Sequence, residues 1–307
     1  MKDQADNLRK AIEKLGAARI NDSAGEPLTR RGTGPPRVVA VTSGKGGVGK
    51  TSVSANLALA LCEMQYKTLI IDADIGLANV EVLYGIMPGF NLSDALSHNK
   101  SLREIICAGP RGVSVISGGS GVEELARVDG IQMASFISDL SELDDEYDII
   151  IIDTGAGISD TVLSMAVAAD EAIIVTTPEP TSLTDAYALI KAISARERDK
   201  IIRIIINRAD TEAEAGEIMS KLAQVADKFL DLKLHKLGYI LNDPLVVRSI
   251  KLQTPFFISS PYSQTSNRIR EIALRLMDGV EYAHIGKSLG LSGFLDRVAK
   301  LINIQLK

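Results

Sequence analysis

Tryptophan is absent from this 307-residue chain, and aromatic residues of all kinds make up only 4% of it. A surface that stacks the successive bases of a single strand needs exposed rings, so that class of nucleic-acid binder is disfavoured. Basic residues are in the minority, 34 Lys and Arg against 39 Asp and Glu. The formal net charge of -5 argues against coating a polyphosphate chain through charge alone, and no specific nucleic-acid partner is expected. Cysteine is scarce: Cys62 and Cys107 stand far apart without a CxxC neighbour, which suits a reducing compartment and offers no zinc or iron–sulfur framework. His98, His235 and His284 have no ligand-like spacing. No apolar leader core opens the chain, and no apolar run approaches bilayer-spanning length. The expectation is a soluble cytoplasmic protein.

What is present in quantity is aliphatic. Hydrophobic residues make up 46% of the chain, enough to fill a large core. The runs VVAVTS, TLIID, VSVIS, YDIIIID, EAIIVTT, IIRIIIN and KLGYIL are near-continuously apolar and rich in β-branched residues, the pattern of strands buried on both faces. Helix-length segments separate most of them, which predicts an α/β fold: a mainly parallel, twisted sheet with helices on both faces. Residues 37–280 read as one such domain. Ahead of it, residues 1–20 hold a short amphipathic helix with Ala5, Leu8, Ile12 and Leu15 on one face, and residues 21–36 have the Asn, Asp, Ser, Gly and Pro of a flexible linker. Behind it, residues 281–307 carry a second amphipathic stretch.

Gly44-Lys45-Gly46-Gly47-Val48-Gly49-Lys50-Thr51 fits G-x-x-x-x-G-K-[ST] between a strand and a helix, the context that gives the motif meaning. Glycines let successive backbone N–H groups turn onto phosphates where a Cβ would intrude, and the helix that carries Lys50, Thr51 and Ser52 adds its positive end. Lys50 is placed for β- and γ-phosphates and Thr51 for Mg²⁺, so a nucleoside triphosphate with Mg²⁺ is the expected ligand. Asp72 and Asp74, two residues apart at a strand end, cannot both be core residues without partners.

The second lysine of the loop, Lys45 in GKGGVGKT, resembles the deviant Walker A motif of the MinD/ParA family of ATPases. The resemblance extends through most of residues 37–280 and implies ATP as the nucleotide. It implies that Lys45 crosses an ATP-bound homodimer to the partner's phosphates, so that Lys45, Lys50 and Asp74 serve hydrolysis. Asp72-Ala73-Asp74-Ile75-Gly76-Leu77-Ala78-Asn79 is similar to the family's first switch, with Asp74 orienting the attacking water and Asp72 supporting the hydration shell of Mg²⁺. Asp153-Thr154-Gly155-Ala156-Gly157 resembles its Walker B strand and second switch, with Asp153 holding Mg²⁺ through water. Asn207 and Arg208 end a strand where the family reads adenine, and Asp243-Pro244 lies where it closes the adenine pocket, though a plain turn explains that pair nearly as well.

Asp3-Gln4-Ala5, with Leu8-Arg9 two residues later, resembles the N-terminal activator motif of the FlhG family, the MinD-like ATPases of bacterial flagella. That resemblance implies stimulation of the signal-recognition-type GTPase FlhF, control of flagellar placement and number, and further partners such as flagellar switch (C-ring) proteins or a transcription activator. In the tail, Leu291, Phe294, Leu295, Val298, Leu301 and Ile302 share one helical face while Asp296, Arg297, Lys300 and Asn303 take the other. Such a helix suits an anionic membrane surface, with reversible attachment to the inner face of the cell membrane, and it equally suits docking on its own domain. Competing readings are a division-site or DNA-positioning ATPase without a flagellar role, an iron–sulfur carrier, and a scaffold that binds ATP without turnover.

Overall fold

The computed structural model describes residues 34–74, 79–97, 99–119, 130–278 and 288–305. Its centre is an eight-stranded sheet of order β3-β4-β2-β5-β1-β6-β7-β8. The strands are β1 (Arg37–Ser43), β2 (Thr68–Ala73), β3 (Ile106–Ala108), β4 (Ser114–Ser117), β5 (Ile149–Ala156), β6 (Glu171–Thr176), β7 (Ile201–Ala209) and β8 (His235–Leu241). All neighbours pair in parallel except β3, which runs antiparallel to β4 at the edge. The seven apolar runs read from the sequence are seven of these strands. The eighth, β3, is three residues long and partly exposed, too short to leave a hydrophobic signature.

Because side chains alternate along a strand, each run supplies both faces of the sheet. Val39, Val41, Ile149, Ile151, Ile173 and Val175 point to one core, where α1 (Lys50–Glu63) and α11 (Gln264–Met277) cover them, together with the short α2 (Asn79–Tyr84) and α10 (Phe256–Ser259). Val38, Ala40, Leu69, Ile71, Ile150 and Ile152 point to the other. There they meet the short α3 (Leu92–Leu96) and α4 (Leu102–Ile105), then α5 (Gly130–Asp144) and α6 (Asp160–Ala168). Farther along that face, α7 (Pro180–Arg196) and α8 (Glu212–Leu230) cover Ala172, Ile174, Ile202, Ile204 and Ile206. The short α9 (Pro244–Lys251) follows β8.

The last helix, α12 (Gly290–Gln305), takes the docked one of the two roles that its apolar stripe suits. Leu291, Phe294, Leu295 and Val298 are buried with Phe136, Leu140 and Leu143 of α5 and Met165 and Ala168 of α6, and Leu301 and Ile302 pack against the same core. The apolar stripe assigned to a lipid surface is therefore covered by the protein's own domain in this structure, and residues 288–305 belong to that domain. Polar contacts fix the docking. Asp144, at the end of α5, accepts from Leu291 N at 2.6 Å and from Ser292 Oγ at 2.6 Å, and Arg297 pairs with Glu197 at 2.7 Å. Ser288 Oγ reaches the Pro36 carbonyl and the Asp170 carboxylate, both at 2.7 Å. Among the described residues no helix is long and apolar enough to cross a membrane.

Candidate functional site

The parallel sheet places the ends of β1, β2, β5 and β7 along one edge, and the chemistry-bearing residues gather there. Between β1 and α1 the chain runs through Gly44–Gly49, with Gly47 and Gly49 at φ +77° and +90°, a region that L side chains rarely adopt. Glycine is also demanded by contact: a Cβ on Gly44 would lie 2.3 Å from the Asp185 backbone, and one on Gly49 would lie 2.4 Å from the Asn207 amide nitrogen. Gly46 and Gly47 face open space. Val48, Lys50 and Ser52 are buried, and Thr51 is half-exposed at the start of α1.

Lys50 Nζ is 3.2 Å from Asp153 Oδ1, and Ser54 Oγ donates to the same oxygen at 2.8 Å. Asp153 is fully buried, and its other oxygen, Oδ2, has no hydrogen-bond partner among the described residues. Register brings a second carboxylate beside it: Asp72 of β2 is the direct neighbour of Asp153 of β5. Asp72 accepts from the backbone N–H groups of Val80 at 3.0 Å and Asp74 at 3.2 Å. Burial, reinforced by the Asp153 charge, pushes the Asp72 carboxyl up to about 7. Asp74 is more open, takes a hydrogen bond from Asn79 Nδ2 at 3.2 Å, and lies against Gly155, whose Cβ would come within 3.3 Å of its Oδ1. Burial raises its carboxyl too, against the pull of Lys50.

Three acidic groups and one lysine thus converge on the rim of the glycine loop. A buried carboxylate oxygen without a donor has an unmet demand for a proton donor or cation. The residues fit a hydrated divalent cation: Asp153 Oδ2 supplies the unmet charge, Asp72 stands behind it, and the Thr51 hydroxyl lies at the loop. Ser54 was missed in the sequence reading, although its position four residues after Lys50, on the same helix face, was the available signal.

The other expected residues have separate surroundings. Asn207 is buried against the loop and donates from Nδ2 to the Val48 carbonyl at 2.7 Å, while its Oδ1 accepts from Arg208 N at 3.0 Å. Arg208 sits at φ +57° and is exposed, as is Pro244. Asp243 caps α9: its Oδ1 accepts from Leu245 N at 2.9 Å and its Oδ2 from Thr265 Oγ1 at 2.6 Å. One carboxylate oxygen therefore serves the turn, and the other ties it to α11. Lys45 pairs with Glu179 Oε2 at 2.9 Å and Thr181 Oγ1 at 3.0 Å on the surface. The N-terminal segment with Asp3, Gln4, Ala5, Leu8 and Arg9, and residues 75–78 of the first switch, lie outside the described residues.

A family model for ParA, described as the NUBPL iron-transfer P-loop NTPase, matches residues 35–277. The antiactivator FleN of Pseudomonas aeruginosa is 39% identical over 242 residues, covering 79% of this chain and 86% of FleN. The flagellum site-determining protein YlxH of Helicobacter pylori is 37% identical over 272 residues, covering 88% of this chain and 92% of YlxH. Among solved structures, the septum site-determining protein MinD of Pyrococcus horikoshii, complexed with Mg-ADP, superposes with a TM-score of 0.63 at 27% identity. It covers 81% of this chain and 98% of its own.

Proposed function

The chain belongs to the ParA/MinD family of P-loop ATPases, and from that premise we propose that it is an ATP-driven switch that governs where, and how many, flagella a cell builds. The observation that carries the flagellar part is the likeness to FleN and YlxH across most of all three chains. The deciding experiment deletes the gene, restores it as wild type, Lys45→Ala or Asp74→Ala, and counts and locates flagella by electron microscopy. Normal flagella in the deletion strain refute the reading, and misplaced septa in their stead support the division-site alternative.

At the site, ATP is the substrate, and its phosphates take the glycine loop, Gly44 to Thr51, and the Lys50 ammonium that stands beside Asp153. Thr51 and Asp153, with Asp72 behind, would hold Mg²⁺, the two carboxylates acting through its hydration shell, and the ion would neutralise charge on the phosphates. Asp74 positions the attacking water for in-line displacement. Asn207 and Arg208 flank the adenine, and Asp243-Pro244 shapes that pocket through the turn it caps, since the Asp243 side chain is occupied.

Lys45 leaves Glu179 to reach the phosphates of a second copy, so hydrolysis completes in a homodimer. ATPase rate per molecule then rises with protein concentration, and a rate independent of concentration in a monomer refutes the role. The N-terminal segment acts outward: a peptide of residues 1–20 accelerates the GTPase FlhF, and Gln4→Ala abolishes the effect. Membrane association exchanges one burial for another. Undocking Leu291, Phe294, Leu295 and Val298 exposes apolar surface worth about 1.5–3 kcal/mol per side chain, which a lipid interface recovers. Co-sedimentation with anionic liposomes in ATP and in ADP tests it; equal binding in both, or with α12 deleted, refutes it.

A further inference from the structure

A buried serine one turn into α1 donates a hydrogen bond to the aspartate of β5. Ser54 is fully buried, and its single hydroxyl proton has two oxygens in reach, the Lys50 carbonyl at 3.1 Å and Asp153 Oδ1 at 2.8 Å. The carboxylate is closer and charged, and the Lys50 carbonyl already accepts the helical bond from the residue four positions on, so the proton goes to Asp153. Lys50 donates to that same Oδ1, and among the described residues Oδ2 of this fully buried carboxylate has no hydrogen-bond partner. Both donors converge on one oxygen, and the free oxygen is thereby fixed.

We infer that Ser54 is a positioning residue for divalent-cation binding, holding Asp153 with Oδ2 free once Lys50 turns to the phosphates. This rests on the nucleotide site described above. In this structure two side-chain donors, Lys50 and Ser54, restrain Asp153. With Lys50 transferred to ATP or ADP, Ser54 is the one remaining side-chain donor to Oδ1 among the described residues. Removing it frees a buried carboxylate to rotate or to recapture Lys50, and either motion weakens the cation site without touching the glycine loop. Partners of this kind behind a metal site are worth about 10–100-fold in metal affinity.

The test separates metal from nucleotide. Mn²⁺ binding to the ADP complex is titrated by electron paramagnetic resonance for wild type and Ser54→Ala, and ADP affinity is measured in EDTA by calorimetry. Loss of about tenfold or more in Mn²⁺ affinity, with ADP affinity in EDTA within about twofold, supports the role. Equal losses in both titrations, or a Mn²⁺ affinity unchanged by the substitution, overturn it. A thermal melt shows whether Ser54→Ala is folded. If it is not, Ser54→Cys, of similar shape but with a much weaker donor, takes its place: a loss of about tenfold or more in Mn²⁺ affinity supports the role, and an unchanged affinity overturns it. Wild-type protein that binds ADP no better with Mn²⁺ than in EDTA overturns the cation-site reading itself, an outcome distinct from failure of the Ser54 role.

Discussion

Replacing Asp144 tests how α12 is held. The carboxylate at the end of α5 takes a backbone N–H in the first turn of α12, Leu291 N, and the Ser292 hydroxyl, both at 2.6 Å. It is nearly buried, and it places a negative charge at a helix N-terminus, where the peptide dipoles favour it. A hydrogen bond to a charged group contributes about 1.5–3 kcal/mol, and a lost N-cap about 0.5–2 kcal/mol. Asp144→Ala should therefore cost about 3 kcal/mol, since water reaches part of the vacated site. At about 2–4 °C per kcal/mol for a domain of this size, the melting temperature falls by about 6–12 °C. Asp144→Asn keeps an acceptor for Leu291 N, and its amide can donate to Ser292 Oγ, so it costs less. Gly290→Ala should act in the same direction as Asp144→Ala, because Gly290 has φ +69° and a Cβ there would lie 2.5 Å from Asp144 Oδ1. Melting by circular dichroism, with limited proteolysis of the C-terminus, reads the effect. A shift under about 1 °C with unchanged protease protection refutes the view that this contact holds the helix.

Three further outcomes follow from the site and its surroundings. Asp72 has its carboxyl raised to about 7, so between about pH 4 and 7 the folded state binds the proton more tightly than the unfolded chain. Nucleotide-free protein should lose stability as pH rises through that window and level off above it; Asp72→Asn flattens the slope, and an unchanged slope in denaturation curves counts against the assignment. Lys45 makes only exposed contacts, so Lys45→Ala should move stability by about 0.5 kcal/mol or less while ATPase activity collapses; a large melting shift refutes this separation. Cys62 is buried with its thiol pushed up to about 11, whereas Cys107 is half-exposed. A thiol reagent at pH 8 should modify Cys107 alone until denaturant exposes Cys62, and mass spectrometry of the labelled peptides shows which cysteine reacts.

The sequence by itself determined whatever depends on neighbours along the chain. Runs of β-branched residues are strands because their pattern suits burial on both faces, and seven of the eight strands were legible for that reason. The glycine loop was legible because its backbone geometry and Lys50 are encoded within eight residues. Ser54 could have been read too, by its helical spacing from Lys50. Tertiary structure alone decided the rest. The pairing of Asp72 with Asp153, which raises a carboxyl, arises from register between strands distant in sequence. The contact of Asn207 with the Val48 carbonyl and the capping role of Asp243 depend on which loops meet at one sheet edge. The clearest case is α12: an apolar stripe on a helix is the same object whether it faces lipid or a core. Its docking followed from features no local pattern contains, a gap between α5 and α6 and a carboxylate waiting at the end of α5.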